Sequence, residues 1–149
     1  MTDLTENFTL EEMTASQTAV RLDFDEQFSP ADSIKDNLKA LCENVLEPIR
    51  SLASCSIRIS SGYRCERANE AIKGAKTSQH LKGQAADISA RCLDTEELYT
   101  LIKESNIIYD QLLQEYGRWV HISFTSVGEN RMQRLRAIKV DGITKYIPD

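Results

Sequence analysis

The stretch from Ser60 to Ser89, SSGYRCERANEAIKGAKTSQHLKGQAADIS, limits this chain more tightly than any other. It carries one of the protein's 2 histidines, His80, and seven positions later Asp87. Those side chains can meet only if the polypeptide doubles back between them. Gly83 permits such a turn, and the small Ala85 and Ala86 let the following strand approach closely. The other histidine, His121, lies in the strand-like run Trp119-Val120-His121-Ile122-Ser123. Catalytic zinc typically takes three protein ligands from His, Asp, Glu or Cys and leaves its fourth position to water. His80, Asp87 and His121 can supply that set, although the spacing between His80 and Asp87 is not a specific pattern by itself.

The rest of the chain reads as scaffold. Residues 1–7 form a flexible polar tail. Thr9 followed by Glu12 has the form of a capping box and starts a short helix. Residues 19–32, acidic and then Ser29-Pro30, read as a surface loop. Ile34, Leu38, Leu41, Val45, Leu46 and Ile49 recur at helical spacing, with Asp32 or Ser33 as cap and Pro48 helping to stop the helix. Ser56–Ser60 alternates like a half-buried strand. A short helix from Cys65 to Lys73 ends at Gly74, in the left-handed position such ends favour. Ala85–Ser89 is a strand. Asp94 with Glu97 then opens a helix that turns Leu98, Leu101 and Ile102 inward.

Two strand-like runs, Asp110–Tyr116 and Trp119–Thr125, flank Gly117-Arg118. Another pair, Arg134–Val140 and Ile143–Ile147, flanks Asp141-Gly142. Helices come first and mostly antiparallel strands follow, which predicts one α+β domain over residues 1–149.

Composition excludes more than it identifies. A net charge of -5 with no basic stripe argues against nucleic acid, and no apolar run is long enough to span a membrane. No signal peptide is visible, and the 4 cysteines show no CxxC pair. Free, buried thiols in a chain made in a reducing compartment are the expectation.

Several motifs in order resemble a known family. Ser61-Gly62-Tyr63-Arg64, Asn69, Ser78-Gln79-His80-Leu81-Lys82-Gly83-Gln84-Ala85-Ala86-Asp87-Ile88 and Trp119-Val120-His121-Ile122-Ser123 resemble the peptidase M15A family. Its members are zinc D-alanyl-D-alanine carboxypeptidases and related peptidoglycan peptidases, often of phages and prophages. The resemblance implies a small fold of the M15 or hedgehog-like type, with a central antiparallel sheet flanked by helices. It places zinc on His80, Asp87 and His121, and maps Arg64 onto a substrate-binding arginine. The implied substrate is the peptidoglycan stem peptide, cut by a monomeric enzyme that is made in the cytoplasm and acts on the wall.

Such a peptidase needs a Lewis acid to polarise the scissile carbonyl and acidify the attacking water. It also needs a carboxylate to take the water's proton and pass it to the leaving amine. In many relatives that carboxylate precedes the last histidine by three positions, where this chain has Arg118. In a hairpin centred on residue 118, Glu115 lies across from His121, and opposed residues share a face. Glu115 is therefore the candidate base, with Asp110 the alternative. Arg64 follows a strand and turn from which a guanidinium can pair with a terminal carboxylate. Ser78 and Gln79 precede the first ligand and are candidate substrate contacts, whereas Tyr63 and Trp119 read as packing at the cleft's edge. The Arg118 departure keeps a second class open: a non-catalytic, metal-stabilised domain that binds wall peptide or serves a phage assembly.

Overall fold

The computed structural model describes residues 2–149. Two short helices, α1 (Leu10–Thr14) and α2 (Gln17–Arg21), open the chain, each capped by a hydroxyl, Thr9 and Ser16. The long amphipathic helix runs as α3 (Asp32–Leu41), a π-helical turn (Cys42–Leu46) and α4 (Glu47–Ala53). Pro48 does not stop it. The Glu47 N–H reaches back to the Cys42 carbonyl, one residue further than an α-helix requires. That wider turn makes room for a ring that offers no N–H of its own. Leu38, Leu41, Val45, Leu46 and Ile49 are fully buried along this rod, as the spacing predicts.

The strands β1 (Ile57–Ser61), β2 (Ala85–Ala90), β3 (Gln111–Glu115), β4 (Trp119–Ser123), β5 (Gln133–Val140) and β6 (Ile143–Pro148) form one sheet, ordered β1-β2-β4-β3-β5-β6. Every pairing is antiparallel except β3–β5, so the sheet is mixed and the domain α+β. Helix α5 (Glu66–Ala71) follows β1, and α6 (Thr95–Lys103) follows β2 with the expected capping box between Asp94 and Glu97. Ile88, Leu112, Val120 and Ile122 point from the sheet into a core shared with Leu98, Tyr99 and Ile102 of α6. Tyr99 takes the inward position expected of Leu101, which is only half-buried. Each fully buried apolar side chain of this kind contributes roughly 1.5–3 kcal/mol, so the helix-facing side of the sheet holds the domain together.

Several local expectations are corrected. Residues 2–7 of the expected tail are hydrogen-bonded to the body of the domain, and Met1 lies outside the described residues. Leu10 N–H donates to the Thr2 carbonyl (2.8 Å), and Glu47 accepts from the Asn7 backbone and side chain (2.8 and 2.7 Å). Residues 19–32 are not mere surface loop, because α2 and a 3-10 turn, Asp25–Phe28, carry Gln27 fully into the interior. At the end of α5 the left-handed residue is Lys73 (φ 58°), not Gly74. Gly74 is needed for space instead, since a Cβ there would lie 2.1 Å from Asn69 Oδ1.

Cys55 and Cys92 form a disulfide, contrary to the expectation of four free thiols. Their separation of 37 residues hid the pair, which adjacent β1 and β2 bring together. Cys42 and Cys65 remain buried thiols, and burial pushes the Cys42 thiol up to about 12. Closing a loop of this length stabilises a folded chain by about 3–4 kcal/mol. Thiol titration of the unreduced, denatured protein should therefore find two reactive thiols and the reduced protein four. Cys55→Ser with Cys92→Ser should lower the melting temperature by about 10 °C.

Candidate metal centre

Alternation along the strands separates scaffold from site. In β4, Val120 and Ile122 face the helices, which leaves Trp119, His121 and Ser123 on the other face. Asp87 of β2 is directly opposite His121, so adjacent strands place both side chains on that same face. A bulge at Ser60 sets Ser61 against Asp87, which brings the following Gly62 beneath the third residue.

That residue, His80, sits on a 3-10 turn, Gln79–Lys82, ended by Gly83 at φ 71°. A Cβ on Gly83 would also lie 2.9 Å from the Ile34 carbonyl, so the turn is pressed against α3 as only glycine allows. His80 is buried, and its Nδ1–H donates to the Gly62 carbonyl at 2.7 Å. A carbonyl can only accept, so Nε2 is left with its lone pair toward Asp87, 3.4 Å from Oδ1. Gly62 is thus the fixed acceptor that a ligating imidazole needs behind it. The Arg64 N–H donates to the His80 carbonyl (3.0 Å), locking the two segments together.

His121 Nδ1 lies 3.0 Å from the same Asp87 oxygen, and the donor atoms of His80, Asp87 and His121 all fall within 4.8 Å of one another. The set fits a divalent cation. Burial lowers the pKa of His80 and so favours the neutral imidazole. Burial alone would raise Asp87, but the neighbouring His121 and His80 rings outweigh it and hold the carboxyl far below its usual range. Two imidazole nitrogens and one carboxylate therefore face one point.

Around this cluster lies a cleft of about 810 Å³. Glu115 Oε1 is 3.7 Å from His121 Nδ1. Burial and the Asp87 charge raise the Glu115 pKa, with His121 and Arg64 opposing. Its route to this place differs from the expected one. Tyr116 (φ 58°) and Gly117 (φ 68°) form the turn, one residue earlier than Gly117-Arg118. Glu115 therefore opposes Trp119 and Leu113 opposes His121. A shift of two in the pairing preserves the face, which is why the carboxylate still reaches the cleft.

Arg64 is partly buried and spends one N–H on Ser78 Oγ (3.3 Å), while its Nε is buried without a partner. Burial lowers its pKa, countered by Asp87 and Glu115. The Ser78 hydroxyl also accepts from the His80 N–H (3.2 Å), so Ser78 ties Arg64 to the turn. Gln79 lines the cleft and keeps Oε1 buried without a partner. Asp110 is occupied elsewhere. It accepts from Arg131 N, Nε and Nη2 (2.9, 3.0 and 2.7 Å), which lowers its pKa and removes it as a base.

Sequence reasoning missed Gln27. Its amide donates to the carbonyls of Thr14 and Tyr63 (both 2.8 Å) and accepts from Cys65 N–H (2.7 Å), fixing the segment that carries Arg64. No periodicity marks a glutamine for such a clamp, because all its partners are distant in sequence. It also missed Leu135 and Tyr146, which line the same cleft from β5 and β6.

A family model described as Peptidase M15 matches residues 6–123. No curated protein matches the chain.

The three donors must shed protons to bind metal, so affinity should fall as the medium is acidified. Calorimetric titration with Zn²⁺ near neutral pH should give one site per chain, weakening by at least tenfold per pH unit once the imidazoles protonate. Asp87→Ala and His121→Ala should abolish it. Undiminished binding in either variant would place the ion elsewhere.

Proposed function

Because the chain belongs to the peptidase M15 family, whose members are metal-dependent, we propose that it is a zinc metallopeptidase cutting D-amino-acid-containing bonds of peptidoglycan stem peptides, with D-alanyl-D-alanine carboxypeptidase as its main activity. The observation that carries this reading is the ligand count. His80, Asp87 and His121 bring three donors within 4.8 Å of one another, the number that a catalytic zinc centre takes from protein. That count favours the enzyme over a non-catalytic domain of the same fold.

His80, Asp87 and His121 hold the ion, which when bound supplies Lewis acidity to the scissile carbonyl and to water. Glu115 does the proton work. Its Oε1 takes a proton from the attacking water and returns it to the leaving amine nitrogen, a role for which a raised pKa suits a carboxylate. Arg118, exposed on the turn, takes no part.

Arg64 receives the peptide's terminal carboxylate. It is desolvated, pinned by Ser78, and has N–H groups unspent, so a planar anion can be gripped at two points. Gln79 lines the same cleft and is assigned a contact with the substrate backbone.

Purified protein incubated with muropeptides should release D-alanine, identified by mass, and a chelator should stop the release. Glu115→Gln should keep zinc bound and lower kcat by about 10²–10⁴. A rate near that of the unaltered protein would remove Glu115 from the chemistry.

Arg64→Lys should raise KM for a carboxylate-terminated peptide by about tenfold with little effect on an amidated one. An unchanged KM would dismiss the clamp.

A further inference from the structure

Residues 124–149 lie outside the matched family region, yet they build β5 and β6 and thereby one wall of the cleft. The register puts the wall in order. One row across the sheet runs Trp119, Glu115, Ala137, Tyr146, and the next runs His121, Leu113, Leu135. Ala137 is fully buried and offers only a methyl group between Glu115 and Tyr146, and the tyrosine lines the cleft. Tyr146 is 57% exposed, and Leu135 is half-buried beside it.

The hairpin is held rigidly enough to select. Tyr116 Oη and Thr144 Oγ1 share a hydrogen bond (2.8 Å) that ties β6 to the β3–β4 turn. At the other end Asp149 accepts from Tyr99 Oη (2.6 Å) and Lys103 Nζ (3.2 Å) of α6.

The sheet order also gives a direction. Arg64 lies at the β1 side, Asp87 and His121 on β2 and β4 with His80 on the turn before β2, Glu115 on β3, and the apolar wall on β5 and β6. A peptide whose carboxylate rests on Arg64 must cross the metal centre and lay its acyl portion over β3 and β5. Strands are spaced about 4.8 Å apart, so the groove between β3 and β5 lies about 7 Å beyond β4, roughly two extended residues.

We propose that the β5–β6 hairpin is the acyl-side selector of this peptidase: Leu135 and Tyr146 favour a bulky or long aliphatic side chain at the second residue on the acyl side of the cut bond. The inference rests on the reading of Arg64 and the metal centre given above. Trp119 is the protein's 1 tryptophan and lines the same cleft, so its fluorescence reports occupancy whether or not cleavage follows.

The test titrates that signal with acetyl-leucyl-D-alanyl-D-alanine and with its glycyl counterpart, once with zinc and once with chelator. The leucyl peptide should bind about tenfold more tightly, the gain expected from covering one large apolar side chain. Tyr146→Ala and Leu135→Ala should each erase most of that preference, and Tyr146→Phe should retain it. Equal affinity for the two peptides, no binding of either, or a preference that survives both truncations would overturn the selector. Selective binding without any release of D-alanine in the zinc arm would instead sink the proposed activity and leave the selector standing.

Discussion

One carboxylate oxygen joins the fold to the chemistry. Asp87 Oδ1 stands 3.0 Å from His121 Nδ1 and 3.4 Å from His80 Nε2, so two imidazoles from separate parts of the chain converge on a single atom. A charge this enclosed is costly unless it is paired and hydrogen-bonded. The imidazoles offset that cost in the free protein, and a divalent ion is suited to do so when bound. The same requirement explains the supporting parts: the Gly62 carbonyl fixes the His80 tautomer, and the β2–β4 pairing fixes His121 opposite Asp87.

The core protects this arrangement through register. A slip of one residue in β4 would carry Val120 and Ile122 onto the cleft face and turn His121 toward α6, losing apolar burial and the ligand together. The ligand geometry is thus enforced by hydrophobic burial on the opposite face of the sheet. The β3–β4 hairpin illustrates the tolerance of the device. Its pairing lies two residues from the expected position, yet Glu115 keeps its face and its approach to His121.

Local signals were legible where their cause is local. The stripe from Ile34 to Ile49, the capping box at Asp94 and the turn at Asp141-Gly142 all stand as the residues imply. The His80, Asp87 and His121 set was legible chiefly through the ordered motifs of the family resemblance, with Gly83, Ala85 and Ala86 only permitting the tight return of the chain. What escaped was determined by contacts far apart in sequence. The Cys55–Cys92 bridge depends on β1 lying beside β2, and Gln27 on three backbone groups from two distant segments. Pro48 misled for a different reason: a wider helical turn absorbs it, and no single residue announces that turn.

The charges nearest the centre decide what kind of ligand the cleft can accept. Arg64, Asp87 and Glu115 line one cleft, and both carboxylates favour the charged guanidinium that burial opposes. A cation held by the proposed set would add positive charge beside that guanidinium, so metal and anion binding at the cleft are expected to act on one another through charge.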